Sequence, residues 1–231
     1  MSTPLPFPGR VEAGRALAVE LDPRAGDDVL VLGIPPGGVV VASEIARALG
    51  APLDVFVVQP LSVPGNEAVA IGALASGGVR ILDEPRLDEL ALDDERIALA
   101  AAADGNELKR RERLWRGEHG PVDPADRTVV LVDDGDTPPV LLRAAVAGVR
   151  AQRPRRVIVA TPVARDWLDV VVVGQADEVV CVAEATEEEL PTAYEELALP
   201  DEEELAARHR ASVTSDWPAG SSTAPGSAQA G

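Results

Sequence analysis

Cysteine is nearly absent from this chain: Cys181 is the sole one, so neither a disulfide framework nor a cysteine zinc cluster can be built. Aromatic residues make up only 3% of the sequence, and the core must therefore come from Val, Leu, Ile and Ala within a hydrophobic fraction of 46%. Lysine is also scarce. Lys109 is the only one among 21 basic residues, and these are outnumbered by 39 acidic residues to give a net charge of −18. A surface of that sign repels nucleic-acid phosphates and anionic lipid heads, which sets both aside as partners. No apolar run reaches the length of a membrane span, and Met1–Arg10 lacks a basic-then-apolar signal pattern, so a cytoplasmic location is expected.

What the sequence does contain is an alternation of short apolar runs with helical periodicity. Residues 11–21 carry apolar positions at helical spacing. The run 28–34 (DVLVLGI) predicts a buried strand, 39–49 a helix stopped by Gly50, and 54–58 (DVFVV) a second strand. Residues 60–83 are rich in Gly and Pro, with a hairpin expected at 76–78. A long charged helix spans 87–115, with Gly105 as a breaking point. Strands follow at 128–132, 156–160 and 178–182, with helices at 140–150 and 165–173 between them, and an acidic helical region at 187–210 closes the ordered part. Alternation of this kind predicts an α/β fold: a doubly wound, mainly parallel five-stranded sheet. Residues 1–210 form one domain in this reading. The Ser/Gly/Ala/Pro-rich stretch 211–231 has the composition of a disordered tail, with Trp217 as its one large apolar group.

Ligands of open parallel sheets bind beyond the carboxyl ends of the strands, and two such ends are unusual here. Gly33-Ile34-Pro35-Pro36-Gly37-Gly38 would let backbone approach an anion at the start of a helix, and it would equally serve as a tight strand-to-helix turn. At the other end, the adjacent carboxylates of Asp133 and Asp134, followed by Gly135, can accept sugar hydroxyls or hold a hydrated Mg²⁺, or simply cap the next helix. Other residues carry weaker signals. His119 and His209 have no partner at metal-ligand spacing, Cys181 sits in an apolar strand run, and Ser62 and Ser76 lack a nucleophile-elbow setting. The carboxylates at 187–189 and 201–204 are expected on solvated helix faces.

Together the segments VLGIPPGGVVVASEIARALGAPLDVFVV (30–58), VPGNEAVAIGAL (63–74), ELKRRERLWRG (107–117), RTVVLVDDG (127–135) and RVIVATPVA with ADEVVCV (156–182) resemble the type I phosphoribosyltransferase family. The resemblance implies a parallel sheet with a small hood region, here about 60–83, and transfer of ribose 5-phosphate from phosphoribosyl pyrophosphate to a nucleobase-like acceptor with Mg²⁺. It implies that Pro36, Gly37 and Gly38 hold pyrophosphate, that Asp133 and Asp134 hold the ribose hydroxyls, and that the stretch after Gly135 cradles the 5-phosphate. No metal site made by protein ligands alone is implied, and a homodimer stays open.

The departures from the family pattern fall on those same loops. Where a Thr- and Gly-rich loop is usual, the chain reads Asp136-Thr137-Pro138-Pro139; Pro36 stands in place of an arginine, and Gln59-Pro60 in place of Arg-Lys. Proline has no backbone N–H to offer a phosphate. The same residues still make a sound helix start, with Thr137 expected as the N-cap and Pro138 as the first helical residue. The expectation is a phosphoribosyltransferase-like protein with reduced or lost transferase activity and a regulatory or ligand-sensing role, binding phosphoribosyl pyrophosphate or another phosphorylated small molecule weakly. An active transferase is the alternative, and an enzyme of a related phosphorylated sugar or acyl compound a third reading.

Overall fold

The computed structural model describes residues 5–216 apart from 166, 167, 169–171, 173 and 187. Its centre is a five-stranded parallel sheet. Strand β1 (Val29–Gly33) pairs on one side with β2 (Leu53–Val55) and on the other with β6 (Thr128–Val132); β6 pairs with β7 (Arg156–Ala164), and β7 with β8 (Glu178–Glu184). Every residue of β1 and β6 is buried, as expected of central strands covered on both faces. One face is covered by α1 (Arg10–Ala25) and α2 (Gly37–Leu49), which contribute Leu17, Leu21, Val41 and Ile45. The other is covered by α5 (Pro139–Ala151), through Leu142, Val146 and Val149. The helix expected at 165–173 lies largely outside the described residues.

A second, antiparallel sheet forms in the Gly- and Pro-rich stretch, in the order β3 (Val58–Val63), β4 (Asn66–Ala75), β5 (Val79–Leu82). The β4–β5 turn falls at 76–78, where Gly77 and Gly78 both have positive φ. The single strand expected at 54–58 is two strands, because the chain leaves the parallel sheet after Val55 and enters the antiparallel one at Val58. Pro60 is accommodated because β3 is an edge strand of this small sheet.

The long charged helix is also divided, although not at Gly105. It separates into α3 (Glu84–Leu90) and α4 (Asp94–Arg116) at residues 91–93, where Ala91 adopts a left-handed conformation and Asp93 caps α4 by accepting from Arg96 N–H. Asp93 supplies the side-chain acceptor that a new helix start needs, whereas Gly105 is simply tolerated inside α4.

The acidic C-terminal stretch differs more from its expectation. Residues 188–197 form turns, a 3₁₀ segment at Leu190–Thr192 and a parallel bridge between Tyr194 and Phe7. Only α6 (Glu202–Asp216) is helical, and it continues past residue 211, where the tail was expected to begin. The remainder, 217–231 with Trp217, lies outside the described residues. Glu202 does not sit on a solvated face. Its Oε1 accepts from Trp115 Nε1 at 2.8 Å and from Arg111 Nε at 2.9 Å, and Arg111 also donates to Val58 O of β3. Trp115 is fully buried, and Arg116 pairs with the buried Asp54 at 2.9 Å, so this aromatic-Arg-Gly stretch is structural.

Candidate functional site

The two glycine-bearing loops meet at the carboxyl edge of the parallel sheet, as the sequence led one to expect. Ile34 N–H donates to Val132 O at 2.9 Å, fixing the end of β1 against the end of β6. Gly38 packs so closely there that a Cβ would stand 2.6 Å from Val132 O, and a Cβ on Gly37 would collide with the Asp134 carboxylate. Both glycines are therefore required by close approach. Pro36 is the N-cap of α2 and provides no side-chain cap; its peptide bond to Pro35 is cis.

Asp133 and Asp134 are both buried, 4% and 6% exposed, but their surroundings differ. The Asp133 N–H donates to Ala160 O, which anchors the residue to β7. Its Oδ2 accepts from Gly135 N–H at 2.9 Å, whereas Oδ1 is buried without a hydrogen-bond partner among the described residues. Burial, and secondarily the Asp134 charge, push the Asp133 carboxyl up to about 7, against the pull of the nearby Thr137 hydroxyl and the Gly135 N–H. Asp134, by contrast, is matched. Its Oδ2 accepts from Arg10 Nε at 2.7 Å, with both side chains nearly inaccessible, and its backbone carbonyl accepts from the Tyr194 hydroxyl at 2.6 Å.

Arg10 and Tyr194 had no signal in the sequence, since they lie 124 and 60 residues away from Asp134 along the chain. The Arg10 guanidinium also stacks 4.9 Å from the Tyr194 ring centre and donates through Nη1 to Leu197 O at 2.9 Å. Burial pushes the Tyr194 phenol well above its ordinary range, so it stays protonated and able to donate.

The stretch after Gly135 is closed on itself. Gly135 adopts φ +95° and gives its N–H to Asp133, and its carbonyl accepts from Arg165 Nε at 2.9 Å. Asp136 is exposed and lies 3.7 Å from the Arg165 guanidinium. Thr137 is not the N-cap of α5. The cap is Pro138, with Pro139 as the first helical residue, one position later than expected; Thr137 turns its hydroxyl towards Asp133 instead. The Leu141 and Leu142 N–H groups both donate to Pro138 O at 3.0 Å. Arg143 is exposed on α5, and the arginine that bonds this stretch is Arg165.

The remaining candidates lie elsewhere. Cys181 is half-buried in mid-β8 opposite Thr161; His119 is exposed beyond α4; Ser76 Oγ binds Glu112 at 2.6 Å and receives Val57 N–H. His209 is buried against Trp115, where burial holds its imidazole down at about 4. Among the described residues no group of three His, Cys, Asp or Glu side chains could hold a metal ion, and no helix is long and apolar enough to cross a membrane. A cavity of about 310 Å³ opens between β4, α3 and the start of α5, lined by Gly72, Asp83, Arg86, Glu89 and Val140.

The family model of the phosphoribosyl transferase domain matches residues 6–186, a span that contains both loops. The chain belongs to the type I phosphoribosyltransferase family. A provisionally named phosphoribosyl transferase of Mycobacterium tuberculosis, present in two strains, is 38% identical over 177 residues, which is 77% of this chain and 40% of the relative. The chain thus spans two fifths of the length of these curated relatives. Among solved structures, TT1426 from Thermus thermophilus is 34% identical, superposes with a TM-score of 0.75, and shares 90% of this chain and 99% of its own. In this phosphoribosyltransferase domain the loops at 33–38 and 133–139 meet at the carboxyl edge of the parallel sheet, where Gly37 packs against the Asp134 carboxylate.

Proposed function

We propose that this phosphoribosyltransferase domain has kept the sugar-recognising part of its site and lost most of its grip on phosphate, so that it binds phosphoribosyl pyrophosphate or a similar phosphorylated small molecule weakly, turns it over slowly or not at all, and works as a ligand-sensing or regulatory unit. The observation that carries this reading is the start of α5. A helix N-terminus binds anions through N–H groups without partners. Here Pro138 and Pro139 have none to offer and Leu141 and Leu142 already serve Pro138 O, which leaves Val140 as the first residue of the helix with an N–H for an anion. A hydrogen bond to a charged group is worth about 1.5–3 kcal/mol, so two missing ones weaken phosphate binding by about 3–6 kcal/mol. The exposed helix dipole returns only about 0.3–1 kcal/mol. Asp136 adds a carboxylate beside the same place, and Pro36 puts no cation in the pyrophosphate loop.

The sugar side is better provided. Asp133 Oδ1 is buried without a hydrogen-bond partner among the described residues, and the Thr137 hydroxyl turns towards that carboxyl, an arrangement that is costly unless something fills it. A ribose hydroxyl fits that need. One unmatched carboxylate oxygen does not make a metal site, so Mg²⁺ would reach Asp133 and Asp134 only on the pyrophosphate of the ligand.

Calorimetric titration with phosphoribosyl pyrophosphate and Mg²⁺ tests the reading. The wild-type protein should bind in the millimolar range. Replacing residues 136–141 by a Thr/Gly-rich loop together with Pro36→Arg should tighten binding at least about tenfold, a 1.4 kcal/mol gain. Micromolar binding by the wild type, unchanged by the graft, would overturn this reading in favour of the active-transferase alternative.

A further inference from the structure

Arg10 is the least expected member of the site. It enters from the first residue of α1, is 7% exposed, and has three kinds of neighbour at once. Its Nε holds Asp134 at 2.7 Å, its Nη1 holds Leu197 O at 2.9 Å, and its guanidinium lies over the Tyr194 ring. The pyrophosphate loop is equally close, since a Cβ on Gly37 would come within 2.8 Å of Arg10 Nε. The carboxylate that Arg10 holds is thus in contact with the backbone on which a pyrophosphate would rest. Without a cation there, Asp134 would present a buried negative charge to an incoming anion, and charges interact strongly where water is excluded.

We propose that Arg10 is a positioning residue of the ligand site: it holds Asp134 as an internal anchor, removes that carboxylate's charge from the path of an anionic ligand, and leaves Asp133 as the acid that meets the sugar. The inference rests on the proposed binding of a phosphorylated sugar. It assigns different work to two adjacent acids that the family resemblance treats as a pair. The packing around the pair supports it. Phe7 N–H donates to Ala193 O and Glu195 N–H to Phe7 O, both at 2.8 Å, so the segment before Arg10 is zipped to the segment that carries Tyr194 and Leu197. Arg10 is held from both sides and cannot turn to the ligand without leaving Asp134.

The test compares four proteins by ³¹P NMR of millimolar phosphoribosyl pyrophosphate with Mg²⁺: wild type, Arg10→Met, Asp133→Asn, and the double variant Arg10→Met/Asp134→Asn. Thermal unfolding of each reports whether it is folded. Arg10→Met leaves Asp134 unmatched and should abolish the broadening of the ligand signals seen with wild type. The double variant, in which an uncharged Asn needs no cation, should recover both melting temperature and ligand broadening, a rescue that a mere packing role for Arg10 would not produce. Asp133→Asn should be folded and silent. If Arg10→Met does not fold, the double variant against wild type decides alone. A folded double variant that is silent would show that Arg10 or Asp134 itself touches the ligand and would overturn the proposal, as would an Arg10→Met protein that binds like wild type. Silence from folded wild type is a different failure: it removes the proposed ligand, and the inference with it, whatever the variants do.

Discussion

At the scale of single residues, two buried groups set opposite pH dependences. His209 titrates at about 4 in the folded protein against an ordinary 6.5. The unfolded chain therefore binds more protons between those values, and stability is lost as pH falls through that window. Asp133 titrates at about 7 against 3.8. The folded chain binds more protons there, so stability is lost as pH rises from about 4 to 7. Each pKa unit corresponds to about 1.4 kcal/mol, so the effect is about 3 kcal/mol for His209 and about 4 kcal/mol for Asp133, and the two oppose and largely offset each other. Glu44, Glu107 and Asp177 are held low and act only in more acid solution, below their ordinary 3.8–4.5. Urea unfolding from pH 4 to 7 should therefore give a nearly flat profile for wild type. Asp133→Asn should become less stable towards pH 4, and His209→Gln less stable towards pH 7. Three superimposable profiles would mean that neither group titrates as described. Neither environment could be read from the sequence. His209 looked like an isolated histidine, and its burial comes from Trp115, 94 positions earlier. The acidic pair was legible as a candidate site, but its division into one matched and one unmatched acid depends on Arg10, which no local pattern connects to it.

At the scale of elements, the fully buried strands were the most legible. Thr128–Val132 and Arg156 onward are continuous apolar runs bounded by polar residues, a pattern that leaves little choice in an alternating α/β chain. Stops were harder. Gly105 resembled a break because glycine is a poor helix former, yet α4 passes through it while the true division lies at Asp93, whose signal is a side-chain cap. Open space surrounds the position where a Cβ would stand on Gly105. Gly105→Ala should consequently stabilise the protein by about 0.5–1 kcal/mol, measured by chemical denaturation; a loss of stability would mean that α4 is not continuous there. Two adjacent prolines misled in a similar way. Either can occupy the first helical position, so the cap was placed at Thr137, and Pro138 is what the structure uses. The acidic stretch 187–210 was read as a helical region because its composition does not distinguish a helix from turns; residues 188–197 instead satisfy contacts with the N-terminal segment, far away in sequence.

At the scale of the whole molecule, α6 is fastened to α4, and α4 in turn to the first strand of the antiparallel sheet. Glu202 of α6 holds Arg111 and Trp115 of α4, Arg111 reaches Val58 of β3, and Arg210 reaches Leu114 O. Glu202→Ala would leave the buried indole N–H and the guanidinium of Arg111 without their acceptor. The expected cost is about 2–3 kcal/mol, accompanied by faster hydrogen exchange in α6 and the C-terminal half of α4 while β1 and β6 stay protected. Uniform acceleration over all elements, or none, would show that α6 is not a separate fastening. The overall charge of −18 acts at this scale too: it favours solubility and discourages anionic ligands at long range, so any phosphate the site accepts has to be held by short-range contacts.

The pairing of residues 7–10 with 193–197 has a bearing on how the protein is made. Chains emerge from the ribosome from the amino end, and early segments begin to collapse before late ones exist. The parallel sheet can assemble as its strands appear, but the Arg10 guanidinium acquires Tyr194 and Leu197 only after nearly the whole domain has been synthesised. Such contacts close a loop of 187 residues and so come late on the folding path. Until then Asp134 has its cation but not the frame that keeps it in place. The nascent protein accordingly lacks the finished surroundings of Asp134 until residues 194–197 have been synthesised.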